Sequence, residues 1–408
     1  MSAGQYDAIV VGARCAGSPT AMLLARSGYK VLAVDRATFP SDTVSTHLIH
    51  PPGMGALRRW GLVERLSATG CPPIHTYKFD FGPAAIVGSV GTKEDPVSYG
   101  PRRTVLDKLL VDAAAESGVE VREAFTVEEL VIEDGTVTGV RGHDRGGETV
   151  TERARVVIGA DGRHSMVARS VHPHQYNERP EIESSYYSYW SGLPMNGCFE
   201  TYIRGDRGFA AWPTNDDLTL IVGGWPYAQF EENKKDIEGN FTRMLDLAPK
   251  FADRVRAGER VSRFVGAAVP NYFRKPFGPG WALVGDAGYN KDFITAQGIS
   301  DAFMDAERCA TAVHEWLSGS RSFDDAMNEY QQARDEHALP IFEFTCQVAA
   351  LEPPPLEQQQ LMGAIVGNQE AMDGFVQSFA GVTSPADFYS EENVGKIFAA
   401  AAAKGSTS

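Results

Sequence analysis

The 408-residue chain is 43% hydrophobic and 22% charged, a balance that is typical of a globular protein with a sizeable core. Its formal net charge of −15 at pH 7 argues against nucleic acid or an anionic membrane as a partner, because both attract basic patches. No apolar run approaches the roughly 18 residues that span a bilayer, and a strand is predicted from residue 7. We therefore expect a cytoplasmic protein without a signal peptide or membrane span.

The cysteines predict no metal site. The five cysteines are widely spaced and form no C-x-x-C pair. This pattern favours neither a disulfide framework nor a zinc centre.

The first 35 residues have the pattern of a dinucleotide-binding βαβ unit. A turn bounded by Gly12 and Gly17 joins an apolar run to a helix of small residues, and a second apolar run ends at Asp35. Gly12 permits a tight turn, Gly17 allows close packing, and the helix start offers free N–H groups to a pyrophosphate. The Asp35 carboxylate can accept hydrogen bonds from a ribose. Arg14 replaces the middle glycine of the usual motif, so its guanidinium is a candidate pyrophosphate contact. The candidate cofactor residues of this unit are Gly12, Ala13, Arg14, Ala16, Gly17, Asp35 and Arg36.

Short strands are predicted next at 77–90 and 97–100, followed by an amphipathic helix that opens at Arg103 with leucines at helical spacing. Residues 120–132 favour two further strands. Two later apolar strands end in glycine–aspartate turns, one containing Asp161 and the other Asp286. Both aspartates lie where a sheet would meet a cofactor, although a single turn of this kind is also common between a strand and a loop.

An aromatic-rich antiparallel sheet is predicted within residues 183–270. Strand alternation places Tyr187 and Tyr189 on one face and Tyr186 and Trp190 on the other. A hairpin is predicted around the turn at 214–217. Aromatic side chains in a sheet often belong to the core, but as a group they favour a flat or apolar organic substrate.

Helices are expected to dominate the end of the chain. A long helix is predicted from about Ser300, and an apolar stripe at 323–351 is broken by three prolines at 353–355 and resumes at 356–379. Ser384 and Ser390 indicate further helix starts. This tail is expected to cover a substrate pocket or form a subunit contact, and the sequence leaves that choice open.

The opening glycine turn, the Asp161 turn and the Gly285-Asp286 turn, in this order, resemble the class A flavoprotein monooxygenases of the para-hydroxybenzoate hydroxylase fold. Related branches are the geranylgeranyl reductases and the flavin-dependent halogenases. The resemblance covers residues 5–335 and implies FAD as cofactor. It also implies that Asp161 lies near the FAD pyrophosphate, that Asp286 holds the ribityl chain, and that Val127 lies near adenine. An arginine at the start of the predicted helix is expected to reach FAD, either Arg103 or the adjacent Arg102.

The same resemblance places the helix start at Gly298 and Ile299 beside the isoalloxazine. There its positive dipole end would stabilise the negative charge of reduced flavin. The family segment usually reads G-D-A-A-H, then Pro, then G-Q-G-x-N. Here Tyr289 replaces the histidine and Phe293 replaces the proline. In the second part of the segment, Ala296 replaces the first glycine of G-Q-G and Ser300 replaces the asparagine. These changes lie near the reactive carbon of the flavin and leave the type of chemistry open.

In this family the segment after Asp35 runs towards the flavin ring, which draws attention to His47 and His50. We predict His47 as a catalytic residue that supplies a proton or a hydrogen bond, because an ordinary histidine pKa near 6.5 suits that task. The alternative is a loop histidine bonded to the backbone. The candidate substrate-binding residues are Tyr187, Tyr189, Trp190, Trp212 and Phe293.

These features predict an α/β fold in which a Rossmann-like FAD-binding domain is interleaved with an antiparallel-sheet substrate domain and followed by C-terminal helices. The FAD-binding domain is assigned to 1–74, 101–180 and 271–335, the substrate domain to 75–100 and 181–270, and the helical region to 336–408.

The function expected from the resemblance is an FAD-dependent monooxygenase that uses NAD(P)H and O2 and acts on a small aromatic or planar apolar compound. A flavin-dependent reductase of isoprenoid or other C=C bonds is the first alternative. A non-catalytic flavoprotein or redox sensor is the second. The Trp-x-Trp-x-Ile-Pro motif of the halogenase branch is absent. A homodimer and a separate flavin reductase as partners remain open.

Overall fold

The computed structural model describes residues 5–405. The opening glycine turn lies at the carboxyl edge of a parallel sheet. Its parallel strands are β1 (Tyr6–Val11), β2 (Val31–Val34), β7 (Glu120–Arg122), β10 (Thr149–Gly159) and β20 (Trp281–Leu283). They lie in the order β20-β10-β1-β2-β7. The short strand β19 (Phe277–Gly278) pairs with β20 in the antiparallel direction. All four residues of β2 are buried, as expected for a parallel strand that is covered on both faces.

Two different layers cover this sheet. On one face lie α1 (Gly17–Arg26), α4 (Arg103–Glu116) and α9 (Gly298–Leu317), which share a core with Ala8 and Val10 of β1. On the other face, β8 (Thr126–Glu133) and β9 (Thr136–His143) continue from the first half of β10 and pack over Ile9 and Val11. Successive side chains of β1 therefore point alternately into the helical layer and into the antiparallel layer.

A second sheet forms the predicted aromatic-rich region. Its strands are β4 (Thr76–Asp80), β5 (Ala85–Ser89), β12 (Glu183–Ser191), β13 (Cys198–Arg204), β14 (Arg207–Pro213), β15 (Thr219–Pro226), β16 (Glu259–Arg260) and β17 (Val265–Ala268). They lie in the order β16-β12-β15-β14-β13-β4-β5, and β17 also pairs with β12. The predicted hairpin is confirmed as β14 and β15, and Asp216 and Asp217 in its turn adopt positive φ angles.

Smaller elements connect the two sheets. A two-stranded sheet contains β3 (Pro73–Ile74) and β6 (Ser98–Tyr99), and a three-stranded sheet contains β11 (Gln175–Arg179), β18 (Asn271–Arg274) and β21 (Tyr289–Asn290). The remaining helices before the tail are α2 (Pro51–Trp60), α3 (Val63–Ser67), α5 (Met166–Val171), α6 (Phe230–Asn233), α7 (Ile237–Leu245) and α8 (Pro249–Ala257). Within the residues described, no helix has both the length and the apolar character needed to cross a membrane.

The tail is helical, as predicted, but its details differ. It contains α10 (Phe323–Ala349), α11 (Leu356–Ile365), α12 (Gln369–Phe379), α13 (Pro385–Phe388) and α14 (Glu391–Gly405). The apolar stripe predicted at 356–379 is divided between α11 and α12, because Gly367 adopts a φ of +82° and Asn368 caps a new helix by accepting the N–H of Ala371. The boundary expected after residue 335 falls inside α10.

Candidate active site

Three glycine-containing segments meet at the carboxyl ends of β1, β10 and β20. A Cβ atom on Gly12 would lie 2.4 Å from the carbonyl oxygen of Ala160, and one on Gly17 would lie 1.7 Å from the carbonyl oxygen of Gly12. A Cβ on Gly285 would lie 2.9 Å from the Cβ of Ala16. These contacts require glycine, and they bring the opening turn and the late glycine–aspartate turn to one edge of the sheet.

Asp35 shapes the opening turn from the end of β2. Its carboxylate oxygens accept the backbone N–H groups of Ala13 and Ala37, both at 2.8 Å. A carboxylate has about four acceptor sites, so two backbone bonds leave capacity for a ribose hydroxyl. Arg36, the next residue, is exposed.

Arg14 and Arg103 are held by a carboxylate that the sequence analysis did not select. Asp107, which is fully buried, pairs with the guanidinium of Arg14 and accepts from Arg103 Nε at 3.0 Å. Arg14 Nη2 also donates to Ser41 Oγ at 2.8 Å. The guanidinium that was expected at a pyrophosphate therefore ties the glycine turn to α4. The i,i+4 spacing of Arg103 and Asp107 was the one sequence signal for this cluster.

The two predicted aspartates after β10 and β20 have different surroundings. Asp161 Oδ2 accepts the backbone N–H groups of Met166 at 2.6 Å and Val167 at 3.3 Å, so it caps the start of α5. The Asp286 side chain retains exposed surface at the sheet edge. Desolvation raises the pKa of Asp286, and the charges of Lys291 and Arg103 oppose that rise.

Val127 lies in β8, in the antiparallel layer that covers the face of the parallel sheet opposite α1, α4 and α9. Its side chain is partly buried against the antiparallel layer. Phe125, two residues earlier, donates its backbone N–H to the carbonyl of Asp35 at 2.9 Å, so the chain passes the end of β2 just before Val127. The adenine contact of Val127 stays a prediction.

The start of α9 lies beside this edge. Gly298 is its first residue and is exposed, whereas Ile299 is buried in the core. Ala296, two residues earlier, adopts a φ of +53°, a region that favours glycine. Gln297 Nε2 donates to the carbonyl of Phe379 at 2.8 Å, which links the loop before α9 to the C-terminal helices.

His47 is fully buried, and its Nε2 lies 2.8 Å from the hydroxyl of Tyr189. The rings of Tyr187 and Tyr189 both meet its imidazole edge-on at 5.8 Å. Burial, together with the charge of Arg103, lowers the pKa of His47 to about 3. The expected pKa near 6.5 is therefore wrong, and the imidazole stays neutral well below pH 6.5.

His50 fits the alternative of a loop histidine bonded to the backbone. Its Nε2 lies 3.0 Å from the carbonyl oxygen of Thr295, and its Nδ1 lies 2.8 Å from the hydroxyl of Tyr77. Since a carbonyl only accepts, Nε2 carries the proton and Nδ1 accepts from the tyrosine. Burial lowers the pKa of His50 to about 4, which agrees with this neutral form.

A cavity of 820 Å³ lies between the aromatic sheet and the C-terminal helices. Trp212 and Phe293, two of the predicted substrate contacts, line it, whereas Tyr187 and Tyr189 lie on the same face of the sheet but are not among the lining residues. The structure separates Trp190 from this set, because its ring stacks on Phe241 of α7 on the opposite face. Side chains of the tail complete the wall, among them Leu351, Met362, Phe375, Phe379 and Tyr389. The tail thus covers the cavity.

Comparisons with known proteins agree with this geometry. The family model described as "FAD binding domain" matches residues 5–345. A 1H-pyrrole-2-carbonyl-[peptidyl-carrier protein] brominase of Pseudoalteromonas luteoviolacea is 24% identical over 77% of this chain and 79% of its own length. A digeranylgeranylglycerophospholipid reductase of Methanocella arvoryzae is 30% identical over 73% of this chain and 74% of its own.

Solved structures show the same fold. The myxobacterial chondrochloren halogenase CndH has a TM-score of 0.79 at 21% identity, covering 98% of this chain and 97% of the other. PqsL of Pseudomonas aeruginosa, a probable FAD-dependent monooxygenase, has a TM-score of 0.71 at 20% identity, covering 91% and 99%.

FAD fits the residues present. The glycine contacts at the sheet edge, the start of α1, which no side chain caps, and the carboxylates of Asp35 and Asp286 supply what a dinucleotide needs, namely close backbone, N–H donors and hydroxyl acceptors. The predicted α/β fold is confirmed. The chain belongs to the FAD-binding family, and it is an FAD-dependent oxidoreductase.

Proposed function

We propose that this enzyme is a monooxygenase that uses NAD(P)H and inserts one oxygen atom of O2 into a planar, largely apolar organic compound. The observation that carries this proposal is the aromatic cavity, which reaches Thr46, Phe293 and Ala296 beside the loop before α9. Its volume of 820 Å³ lies in the range of about 300–1,000 Å³ that is typical of ligand pockets.

Bound FAD would supply electron transfer from NAD(P)H and reaction of the reduced flavin with O2. The balanced reaction converts substrate, NAD(P)H, a proton and O2 to hydroxylated substrate, NAD(P)+ and water. The protein orients the substrate between Trp212 and Phe293 and excludes water through the apolar walls of the cavity. The first turn of α9 would provide a positive dipole end for an anionic flavin ring.

In this proposal His47 acts as a neutral hydrogen-bonding group with Tyr189 and not as a general acid. Burial raises the pKa of Tyr189, so both partners are uncharged at neutral pH. We expect His47→Ala to slow turnover while FAD stays bound. Unchanged kinetics would assign His47 to a purely structural role.

Oxygen consumption tests the proposal directly. The holoenzyme is supplied with NADH or NADPH and a panel of planar aromatic compounds, and oxygen uptake and product mass are followed with isotopically labelled O2. Substrate-stimulated oxygen uptake with one labelled atom in the product supports the proposal. Product formation without O2 would reject it.

A reductase of isoprenoid or other C=C bonds is the second candidate. The cavity extends from Phe293 to Pro353, Pro354 and Pro355, which suits an elongated apolar chain. The 30% identical relative from Methanocella arvoryzae is named as a reductase of such a lipid. Anaerobic reduction of an isoprenoid substrate by the reduced holoenzyme would favour this candidate. Adding bromide or chloride to both assays tests for halogenation, which is not expected because the Trp-x-Trp-x-Ile-Pro motif is absent.

A further inference from the structure

Two buried carboxylates, of Glu183 and Asp292, contact each other beside the cavity, and Glu183 lines it. Glu183, the first residue of β12, is 2% exposed, and Asp292, just after β21, is 1% exposed. Glu183 Oε1 accepts the hydroxyl of Ser185 at 2.7 Å, and Asp292 Oδ1 accepts the N–H of Ile294 at 3.0 Å. The other two oxygens, Glu183 Oε2 and Asp292 Oδ2, have no donor from elsewhere in the described structure.

One shared proton explains this arrangement. Two carboxylates in contact in a buried site cannot both be ionised, and a proton between them satisfies both remaining oxygens. Burial, reinforced by the charge of Asp292, raises the pKa of Glu183 well above its usual range. Two carboxylates that share one proton carry one net negative charge between them.

That negative charge has no cation of its own. Neither carboxylate forms an ion pair within residues 5–405. Arg179, the cation among the described residues that line the cavity, pairs with Glu343, another lining residue. Lys291, adjacent to Asp292 in the chain, pairs with Asp301. A buried charge without a partner is unfavourable, so a cationic ligand would be strongly stabilised there.

The carboxylate of Glu183 fits against the neighbouring strand because that strand has a glycine, Gly224, at the point of contact. A Cβ atom on Gly224, in the neighbouring strand β15, would lie 1.7 Å from Glu183 Oε1. Gly224, Ser185 and Glu183 all line the cavity. Glu183 thus lies in the wall of an otherwise largely apolar chamber, and Asp292 lies against it from behind that wall.

We propose that Glu183 and Asp292 form a subsite that binds a protonated amine of the substrate. The subsite rests on the proposed function only in that this cavity receives the substrate. It narrows the substrate class to amphiphilic amines, in which an aromatic or apolar body fills the cavity and a cationic nitrogen donates to the carboxyl pair.

Calorimetric titration of the holoenzyme tests this subsite without turnover. The probes are naphthylmethylamine, naphthylmethanol and naphthoate, which share a ring system and differ in charge. We expect the amine to bind about tenfold or more tightly than the alcohol, since a hydrogen bond from a charged donor to a carboxylate is stronger than one from a neutral hydroxyl, and we expect the carboxylate to bind most weakly.

The double variant Glu183→Gln/Asp292→Asn removes the charge and keeps the side-chain size. It should retain FAD and bind amine and alcohol within about twofold of each other. Glu352→Gln is the matched control, because Glu352 lines the same cavity but is exposed, and its removal should leave the tenfold preference largely intact. If the double variant loses FAD, Glu183→Gln alone is compared, because it removes the carboxylate at the cavity wall.

The subsite is rejected if wild-type enzyme shows no preference for the amine, if it binds none of the three probes, or if the charge-removing variant keeps the preference. These results are separable from the oxygen assay. Absence of oxygen uptake would reject the monooxygenase and leave an observed amine preference standing.

Discussion

The cofactor edge of the parallel sheet and the substrate cavity are assembled in different ways. At the cofactor edge, short segments contact one another through Gly12, Gly17 and Gly285, where no other residue fits. In the cavity, Phe79 of β4, Trp212 of β14 and Phe379 of α12 come together from distant parts of the chain, and other apolar side chains would suit the same surface. The first site is specified by stereochemistry and the second by long-range packing, so the two should respond differently to substitution.

The largest effect should come from the buried charge cluster that supports the cofactor edge. Asp107→Ala leaves Arg103 buried and Arg14 half-buried without their carboxylate, and we expect a loss of about 3–5 kcal/mol in the free energy of unfolding. Asp112→Ala on the same helix is the control. Its pair with Lys108 is exposed and should contribute less than about 1 kcal/mol. Urea unfolding of both variants measures the difference, and equal losses would show that Asp107 does not support this edge.

Removal of the Asp286 carboxylate from the cofactor edge should weaken FAD binding more than it lowers the free energy of unfolding. Asp286→Ala removes a carboxylate that we expect to accept hydroxyl groups of FAD, and the loss of such a bond should weaken FAD binding by about ten- to a hundredfold. Equilibrium titration of the apoprotein with FAD gives the affinity. Asp324→Ala, which removes an exposed carboxylate of α10, should leave the affinity unchanged. Yellow protein with normal affinity from Asp286→Ala would contradict the assignment.

The sequence predicted the cofactor edge because its motifs are local. The turn at Gly12, the end of β2 at Asp35 and the turn at Asp286 follow strands whose apolar runs are plain in the sequence. The bond between Arg14 and Asp107 joins residues 93 positions apart, and no local pattern indicates it. The pairing of Glu183 with Asp292 depends on tertiary packing in the same way. Trp190 was selected as a substrate contact because it is aromatic, although strand alternation already placed it on the face opposite Tyr189. The structure agrees with the alternation, since Trp190 packs on Phe241 away from the cavity.

His47 provides a pH-dependent test where the two regions meet. An unfolded histidine has a pKa of about 6.5, whereas burial lowers the folded value to about 3. Between these values only the unfolded state binds the proton, so the folded state loses stability as the pH falls below 6.5 and gains nothing above it. The expected slope is about 1.4 kcal/mol per pH unit.

Urea unfolding of wild type and His47→Gln at about pH 7.5 and about pH 5.5 measures this effect. The stability difference between the two proteins should shift by about 1.4 kcal/mol, in favour of the variant, at the lower pH. His50 has a pKa lowered in the same direction, but it is present in both proteins and cancels in the comparison. A difference that does not change with pH would show that His47 is not buried as a neutral imidazole.

The smallest expected change in stability comes from a substitution at Ala296, in the loop before α9. This loop lines the cavity and leads into α9 at the cofactor edge. Ala296 has a φ of +53°, which costs an alanine about 1–2 kcal/mol and a glycine almost nothing. Glycine also increases the entropy of the unfolded chain by about 0.4–1 kcal/mol, and removal of the buried methyl group loses about 0.8 kcal/mol, so Ala296→Gly should leave the stability nearly unchanged. Ala115→Gly, on an exposed position of α4, makes the same chemical change in a helix and should destabilise by about 1 kcal/mol. A smaller loss at Ala296 than at Ala115 would establish that relief of the left-handed backbone conformation offsets the loss of the methyl group at Ala296.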